Sequence, residues 1–140
     1  MRKIPKPKIS GLFKKSIENQ SNTIIDRIKT FEDACDELGI NPENVFNIND
    51  ELDEIAYKKL KIIVRALNDG WIPDWNDNNQ RKWIPWFIWD PLSSGFGFDD
   101  SYYSYSFTGT GTGSRLCFSS DALSNYAGQQ FIELYNEYLK

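Results

Sequence analysis

The sequence predicts an α+β domain of N-terminal helices, a three-stranded antiparallel meander and a C-terminal helix packed on the sheet. Three observations lead to this prediction. Apolar residues recur at helical spacing through residues 30–68. The pattern then changes to short alternating segments separated by glycine-rich connections. Helical spacing returns after Ser120, and helices on both sides of a run of strands are typical of an α+β fold.

Two helices are predicted before the sheet, after a possible short helix within residues 11–28. The segment TFEDACDELGI carries Thr30 and Asp33 at capping-box spacing, and Gly39 is the expected left-handed stop. A second helix is predicted over residues 50–68, with Asn49 as its N-cap. Its apolar stripe is formed by Leu52, Ile55, Ala56, Leu60, Ile63, Val64 and Leu67.

The three strands are predicted at residues 82–89, 100–109 and 114–120. Pro85 places the first strand at a sheet edge or a bulge, because proline has no N–H for the ladder. This strand is apolar on both sides, which is more than one packed face requires. Alternation puts Trp83, Pro85, Phe87 and Trp89 on one side and Ile84, Trp86 and Ile88 on the other. The closing helix is predicted to start after Ser120, with Asp121 or Ser120 as its N-cap.

Charge divides the chain into a basic extended arm, residues 1–15, and a single α+β domain, residues 16–140. The remaining 125 residues hold 10 basic and 20 acidic side chains, so an acidic body follows a cationic arm. Pro5 and Pro7 favour extended backbone in the arm. The arm has no acidic residue and six basic ones, which are Arg2, Lys3, Lys6, Lys8, Lys14 and Lys15.

The residue types needed for common catalytic and metal chemistry are missing. The chain has no histidine, which removes the usual general base and the commonest transition-metal ligand. Cys35 and Cys117 are too few for a structural zinc site and are expected to be reduced and buried. Asp74 begins a segment similar to a calcium loop, but Pro85 stands where the glutamate ligand belongs. We therefore predict no catalytic residue, no metal and no cofactor.

Three segments resemble a family of small proteins found in Bacteroides phages, including crAss-like phages, and in related prophages. They read RIKTFEDACDELGI, AYKKLKIIVRALNDGWIPDWND and SRLCFSSDALSNYAGQQFIELYNEYL. The resemblance covers roughly residues 27–140 and leaves residues 1–26 outside. It implies a phage-encoded protein and assigns no chemistry to any residue. With no apolar run of about 18 residues and no signal-peptide pattern, the host cytoplasm is the expected location.

All five tryptophans lie within residues 71–89, and two interpretations of this cluster remain open. In the first, one side of the strand joins the core and the segment from Trp71 to Trp75 covers the other. In the second, the surplus face is exposed and binds a partner, since tryptophan and arginine dominate interface energies. The residues predicted to contact the partner are Trp71, Trp75, Arg81, Lys82, Trp83, Trp86, Trp89 and Arg115.

The sequence therefore predicts a non-enzymatic phage accessory protein that binds a host or phage protein through the aromatic patch. One alternative is a single-stranded nucleic-acid-binding protein that combines aromatic stacking with the basic arm. The acidic body argues against it, because phosphate contacts dominate nucleic-acid affinity. The other alternative is a structural component of the virion, with the arm against packaged DNA or a neighbouring subunit.

Overall fold

A computed structural model of the chain describes residues 22–109 and 115–140, and the predicted basic arm lies outside them. The described residues form an α+β fold with helices before and after one antiparallel hairpin. In chain order the elements are α1 (Ile24–Arg27), α2 (Phe31–Leu38), a 3-10 turn (Pro42–Asn44), α3 (Leu52–Leu67), β1 (Lys82–Asp90), β2 (Gly95–Ser104), α4 (Asp121–Gln130) and α5 (Ile132–Leu139).

The start and end predicted for α2 are confirmed. The Thr30 hydroxyl accepts from the Asp33 N–H, the Asp33 carboxylate accepts from the Thr30 N–H, and Gly39 has a φ of 68°. The prediction of Asn49 as the cap of α3 is wrong. That helix begins after Glu51, whose N–H donates to the Glu54 carboxylate at 2.7 Å.

The sheet has two strands, and the predicted third strand and meander are absent from the described residues. Residues 115–120 contribute one isolated bridge, in which Trp83 and Phe118 exchange both backbone hydrogen bonds, at 2.9 and 2.7 Å. A second hydrogen-bonded pair along this edge of β1 would need the backbone N–H of residue 85. Pro85 has no N–H, so the pairing with residues 115–120 stops at the Trp83–Phe118 bridge.

The second strand lies earlier in the chain than predicted. It begins at Gly95, inside the segment expected to be a connection, and ends at Ser104. Trp86 pairs with Asp100 while Phe87 pairs with Phe98, so Asp99 is an extra residue on β2. Such a bulge bends the hairpin and strengthens its twist.

The single closing helix expected after Ser120 is two helices. Of the two candidate caps, Ser120 is the N-cap, since its hydroxyl accepts from the Leu123 N–H. Phe131, with φ −108° and ψ 29°, breaks the helical backbone between α4 and α5. The break leaves Phe131 buried, and in α5 Tyr135 is completely buried with its ring 4.8 Å from Phe87. Burial raises the pKa of Tyr135 far above its usual value.

The core lies between the helices and one side of the hairpin. Helix α3 packs against α2 and α5, and α4 packs on both strands. Cys35 and Cys117 are buried and form no disulfide, as predicted. None of the helices in the described part of the chain is long and apolar enough to cross a bilayer. The core includes Ile28, Phe31, Leu60, Ile63, Leu67, Leu116, Phe118, Phe131 and Tyr135.

Gly128 marks the closest approach of α4 to the hairpin. A Cβ atom at this position would lie 2.5 Å from the Phe98 ring and 3.0 Å from the Pro85 Cβ. We therefore expect Gly128→Val to lower the free energy of unfolding by about 1–3 kcal/mol through overpacking, as measured by urea denaturation. The matched control is Gly97→Val, because a Cβ at Gly97 meets no atom within 4 Å. Equal stability of the two variants would contradict this packing.

Candidate functional site

The structure separates the eight residues predicted to form one patch into two surfaces and a connection between them. Two tryptophans are exposed on the hairpin, and two others line a groove beside α3. The connection contains one buried cation and one pair of rings in tilted contact. Trp71, Trp75 and Arg115 line the groove. Lys82 is buried, and Arg81 and Trp83 each lie against Tyr103. Trp86 and Trp89 are exposed on the hairpin.

Lys82 is not a surface contact, which corrects its place in the predicted patch. The residue is 1% exposed, and its ammonium donates to three backbone carbonyls. The acceptors are the oxygens of Tyr105 at 2.5 Å, Gln80 at 3.1 Å and Asp77 at 3.4 Å. The same nitrogen lies 5.0 Å from the centre of the Trp75 ring. Carbonyl dipoles and an indole face, instead of a carboxylate, thus surround this buried charge.

The segment between α3 and β1 is shaped by its own polar side chains. The Asp74 carboxylate accepts from the Asn76 N–H at 2.9 Å, and the Asp77 carboxylate accepts from the Asn79 N–H at 2.8 Å. These are Asx turns, in which a short acidic side chain replaces a backbone partner. The Gln80 side-chain oxygen closes the segment by accepting from the Asp74 N–H at 2.6 Å. Residues 74–80 are therefore a built turn, which Lys82 ties to the hairpin.

Trp83 lies on the side of β1 that faces the helices. Its ring packs against the core and lies 4.8 Å from the Tyr103 ring. The exposed Arg81 guanidinium lies over the other ring of this pair, 4.7 Å from the Tyr103 centre. A hydrogen bond from Arg81 is the main cause that lowers the pKa of Tyr105. Arg81 and Trp83 therefore form the border between the core and the exposed hairpin.

The outer face of the hairpin, formed by Ile84, Trp86, Ile88 and Tyr102, turns away from the helices. Trp86 is 53% exposed, Ile88 60% and Tyr102 51%. The Trp86 and Tyr102 rings meet edge to face with centres 5.5 Å apart. The residues between α3 and β1 cover the Lys82 end of this side but leave Trp86 and Ile88 open. An exposed surplus face, one of the two interpretations of the sequence, is therefore present for this part of the cluster.

Trp89 lies near the turn of the hairpin and is 46% exposed. It pairs with Phe96 across the strands, and the two rings meet edge to face with centres 5.2 Å apart. Leu92, in the turn itself, is almost fully exposed. By alternation Trp89 belongs to the side of Trp83 and Phe87, so the apolar surface it exposes at the end of the hairpin lies opposite the outer face.

The second surface is a cationic groove of about 710 Å³ between α3 and the segment that follows it. Its cations are Lys58, Lys61, Arg65 and Arg115, and none of the described residues that line it is acidic. Among these cations, only Lys58 forms an ion pair with a described residue, the Asp50 carboxylate at 2.6 Å. The apolar part of the lining includes Trp71, Ile72, Pro73 and Trp75.

Two asparagines that the sequence did not single out hold the backbone around these surfaces. Asn68, at the C-terminal end of α3, donates to the Cys117 carbonyl at 2.9 Å and accepts from the Ser119 N–H at 3.0 Å. Asn136 accepts from the Phe96 N–H at 2.7 Å and donates to the Phe96 carbonyl at 2.9 Å. Each side-chain amide donates to one backbone carbonyl and accepts from one backbone N–H, as the backbone of a neighbouring strand would. The sequence signal that could have identified them is their position: Asn68 follows the apolar stripe of α3, and Asn136 lies among the apolar residues of α5.

The titratable and sulfur side chains of the groove can be described from the structure. Burial raises the pKa of the Cys117 thiol to about 11, so this side chain is protonated at neutral pH and is a poor nucleophile. Within residues 22–109 and 115–140, no cluster of three or more acidic or sulfur side chains could hold a metal ion. What the groove offers is fixed positive charge beside flat aromatic rings.

We expect Lys82→Met to lower the free energy of unfolding by about 1–3 kcal/mol, because three carbonyls lose their donor while the side-chain volume is kept. Amide hydrogen exchange at residues 74–80 should also accelerate, since the ammonium holds that turn. The control is the neighbouring exposed cation in Arg81→Met, for which we expect a smaller change and no faster exchange in the turn. Similar exchange in both variants would show that Lys82 does not hold the turn.

Iodoacetamide should alkylate Cys117 slowly in the folded protein at pH 8 and rapidly in urea. The folded pKa is raised, so little thiolate forms below about pH 11, whereas the unfolded thiol ionises near its ordinary value. Because the folded pKa lies above the unfolded pKa, the free energy that the protonated thiol contributes to stability is complete below the unfolded pKa. That contribution is lost as the pH rises towards 11. Peptide mass spectrometry measures the rates, and equal rates in both conditions would contradict the burial.

Comparison with protein-family models, with curated proteins and with solved structures finds no match to this chain. The resemblance to the Bacteroides phage family and the phage origin that it implies therefore stay predictions. The outer face and the cationic groove are therefore the features of this chain that indicate a function.

Proposed function

We propose that this protein is a non-enzymatic binding protein, a phage accessory protein that docks a host or phage protein on the outer face of its hairpin. One observation carries the proposal. Trp86, Ile88 and Tyr102 lie side by side on paired strands, and each has about half or more of its surface exposed. A contiguous exposed aromatic patch is unusual on a monomer and is typical of interaction sites.

The rings on this face suit strong binding per residue. Tryptophan and tyrosine are the residue types most enriched among interface hot spots. Trp86 and Tyr102 are already held against each other at 5.5 Å on the hairpin, so docking immobilises few side chains. Less side-chain entropy is then lost on association, and more of the burial energy appears as affinity.

The charges around the face indicate the chemistry of the partner. Asp90, Asp99 and Asp100 are exposed on the same two strands. Neither salt bridge formed within the described residues involves any of them. An apolar centre with a charged rim is the usual anatomy of a protein interface. We therefore propose a protein partner with an aliphatic or aromatic centre bordered by lysine and arginine.

The test uses a double variant, Trp86→Ala with Ile88→Ser, in the full chain. Both side chains are more than half exposed, so the double variant should lower the free energy of unfolding by less than the truncation of two core residues would. Loss of hot-spot residues should weaken the partner's Kd by at least about 30-fold, which corresponds to roughly 2 kcal/mol.

The matched control is Ile48→Ser, an exposed isoleucine in the connection before α3. Tagged wild-type and variant chains are purified from producing cells, and the proteins that accompany each are quantified by mass spectrometry. The docking partner should accompany wild type and Ile48→Ser and be lost from the double variant. A protein retained equally by all three would not be held by the outer face, and the proposal would fail if every partner behaved so.

A further inference from the structure

We infer that the cationic groove binds a phosphate-bearing nucleobase, presented by a free nucleotide or by a single-stranded nucleic acid. The groove is a second surface, separate from the outer face and from the function proposed for it. Three properties of its lining lead to this inference: its size, its charge and its two indole rings.

The size of the groove matches a small ligand. Its volume of about 710 Å³ falls inside the range of roughly 300–1,000 Å³ typical of ligand sites. One wall is the exposed side of α3, which supplies Lys61 and Arg65, and the other is formed by Trp71 and Trp75. Arg115 and Cys117 belong to the lining as well, so the site joins parts of the chain that are distant in sequence.

The charge of the lining points to an anion. Lys61, Arg65 and Arg115 form no ion pair with any residue of the described chain, and no carboxylate lines the groove with them. This is an unusual concentration, since residues 16–140 carry twice as many acidic as basic side chains. Arginine offers several donors in a planar fork, which matches phosphate oxygens.

The tryptophans point to a planar group attached to that anion. Trp71 and Trp75 are both half-buried, so part of each ring borders the groove. The Lys82 ammonium lies 5.0 Å from the centre of the Trp75 ring and helps to hold that ring in place. A nucleobase gains stacking energy on an aromatic side chain, which an acidic peptide without rings would not obtain.

The first experiment measures fluorescence anisotropy of a fluorescein-labelled oligo-dT of about 15 nucleotides against the full chain, at salt concentrations between about 50 and 200 mM. ATP and a polyglutamate peptide are unlabelled competitors. Displacement by ATP assigns the site to free nucleotides, and binding of the oligonucleotide without displacement by ATP assigns it to strands. If polyglutamate displaces the probe as well as ATP does, the groove recognises charge alone and the nucleobase inference is overturned.

The variants Arg65→Glu and Arg115→Glu should each weaken probe binding by at least about tenfold, since each reverses a charge-assisted contact to phosphate. Trp71→Ala should weaken it about 5- to 150-fold through loss of stacking. Lys140→Glu, the same charge reversal at an exposed residue outside the groove, should leave the affinity within about twofold. Circular dichroism confirms that each variant is folded.

A second variant separates the groove from the N-terminal arm. It replaces the six basic residues of positions 1–15 with glutamine in the full chain. The inference expects this variant to retain most of the ATP or oligonucleotide binding. Binding that disappears here but survives in Arg65→Glu, Arg115→Glu and Trp71→Ala would place the site on the arm and overturn the inference. Absence of wild-type binding both to the labelled oligonucleotide and to ATP titrated directly by calorimetry would also overturn it.

Discussion

The arrangement of both candidate surfaces depends on one buried cation. Lys82 stands at the first position of β1, where its ammonium donates to backbone oxygens of residues 77, 80 and 105 and lies under the Trp75 ring. Removing a charge from water costs several kcal/mol unless polar groups replace the solvent. The turn before β1 supplies those groups, so it must keep its shape for the lysine to stay buried. The Trp75 wall of the groove and the open part of the outer face follow from that constraint.

The hairpin is sustained without a third strand because amide side chains replace one. Two-stranded sheets are marginal in water and need a packed helix or further strands. Here α4 and α5 cover one side, while Asn136 satisfies both backbone groups of Phe96 and Asn68 holds residues 117–119 beside β1. These side-chain amides satisfy backbone hydrogen-bonding groups at the strand edges, so no further strand is needed at those positions. The opposite side is packed against no described helix, and Trp86 is 53% exposed there.

Local features were predictable and tertiary ones were not. The caps of α2 and α4 depend on hydrogen bonds between residues three apart, so Thr30 could be identified directly and the cap of α4 could be narrowed to Ser120 or Asp121. The two sides of β1 follow from alternation, and they are observed. The third strand was wrong because Pro85 limits the bridge at Phe118 to one rung, which depends on pairing and not on the strand's own sequence. In the sequence Lys82 looks like a surface lysine, because one of the carbonyls that hold it belongs to the distant Tyr105. The groove could not be predicted either, because its lining combines α3, the segment from Trp71 to Trp75 and Arg115, which are separated in the sequence.

The acidic character of the body, which argued against nucleic-acid binding at the level of the sequence, has less weight at the level of the groove. Charges separated by more than about 8 Å are largely screened at physiological salt, so the nearest groups decide the local potential. The groove lining contains Lys61, Arg65 and Arg115 and no carboxylate. The acidic residues instead include those on the strands of the hairpin, where they border the outer face. One net charge therefore describes neither surface: the chain presents a cationic, aromatic groove and an aromatic face with acidic neighbours, and we propose a different class of partner for each.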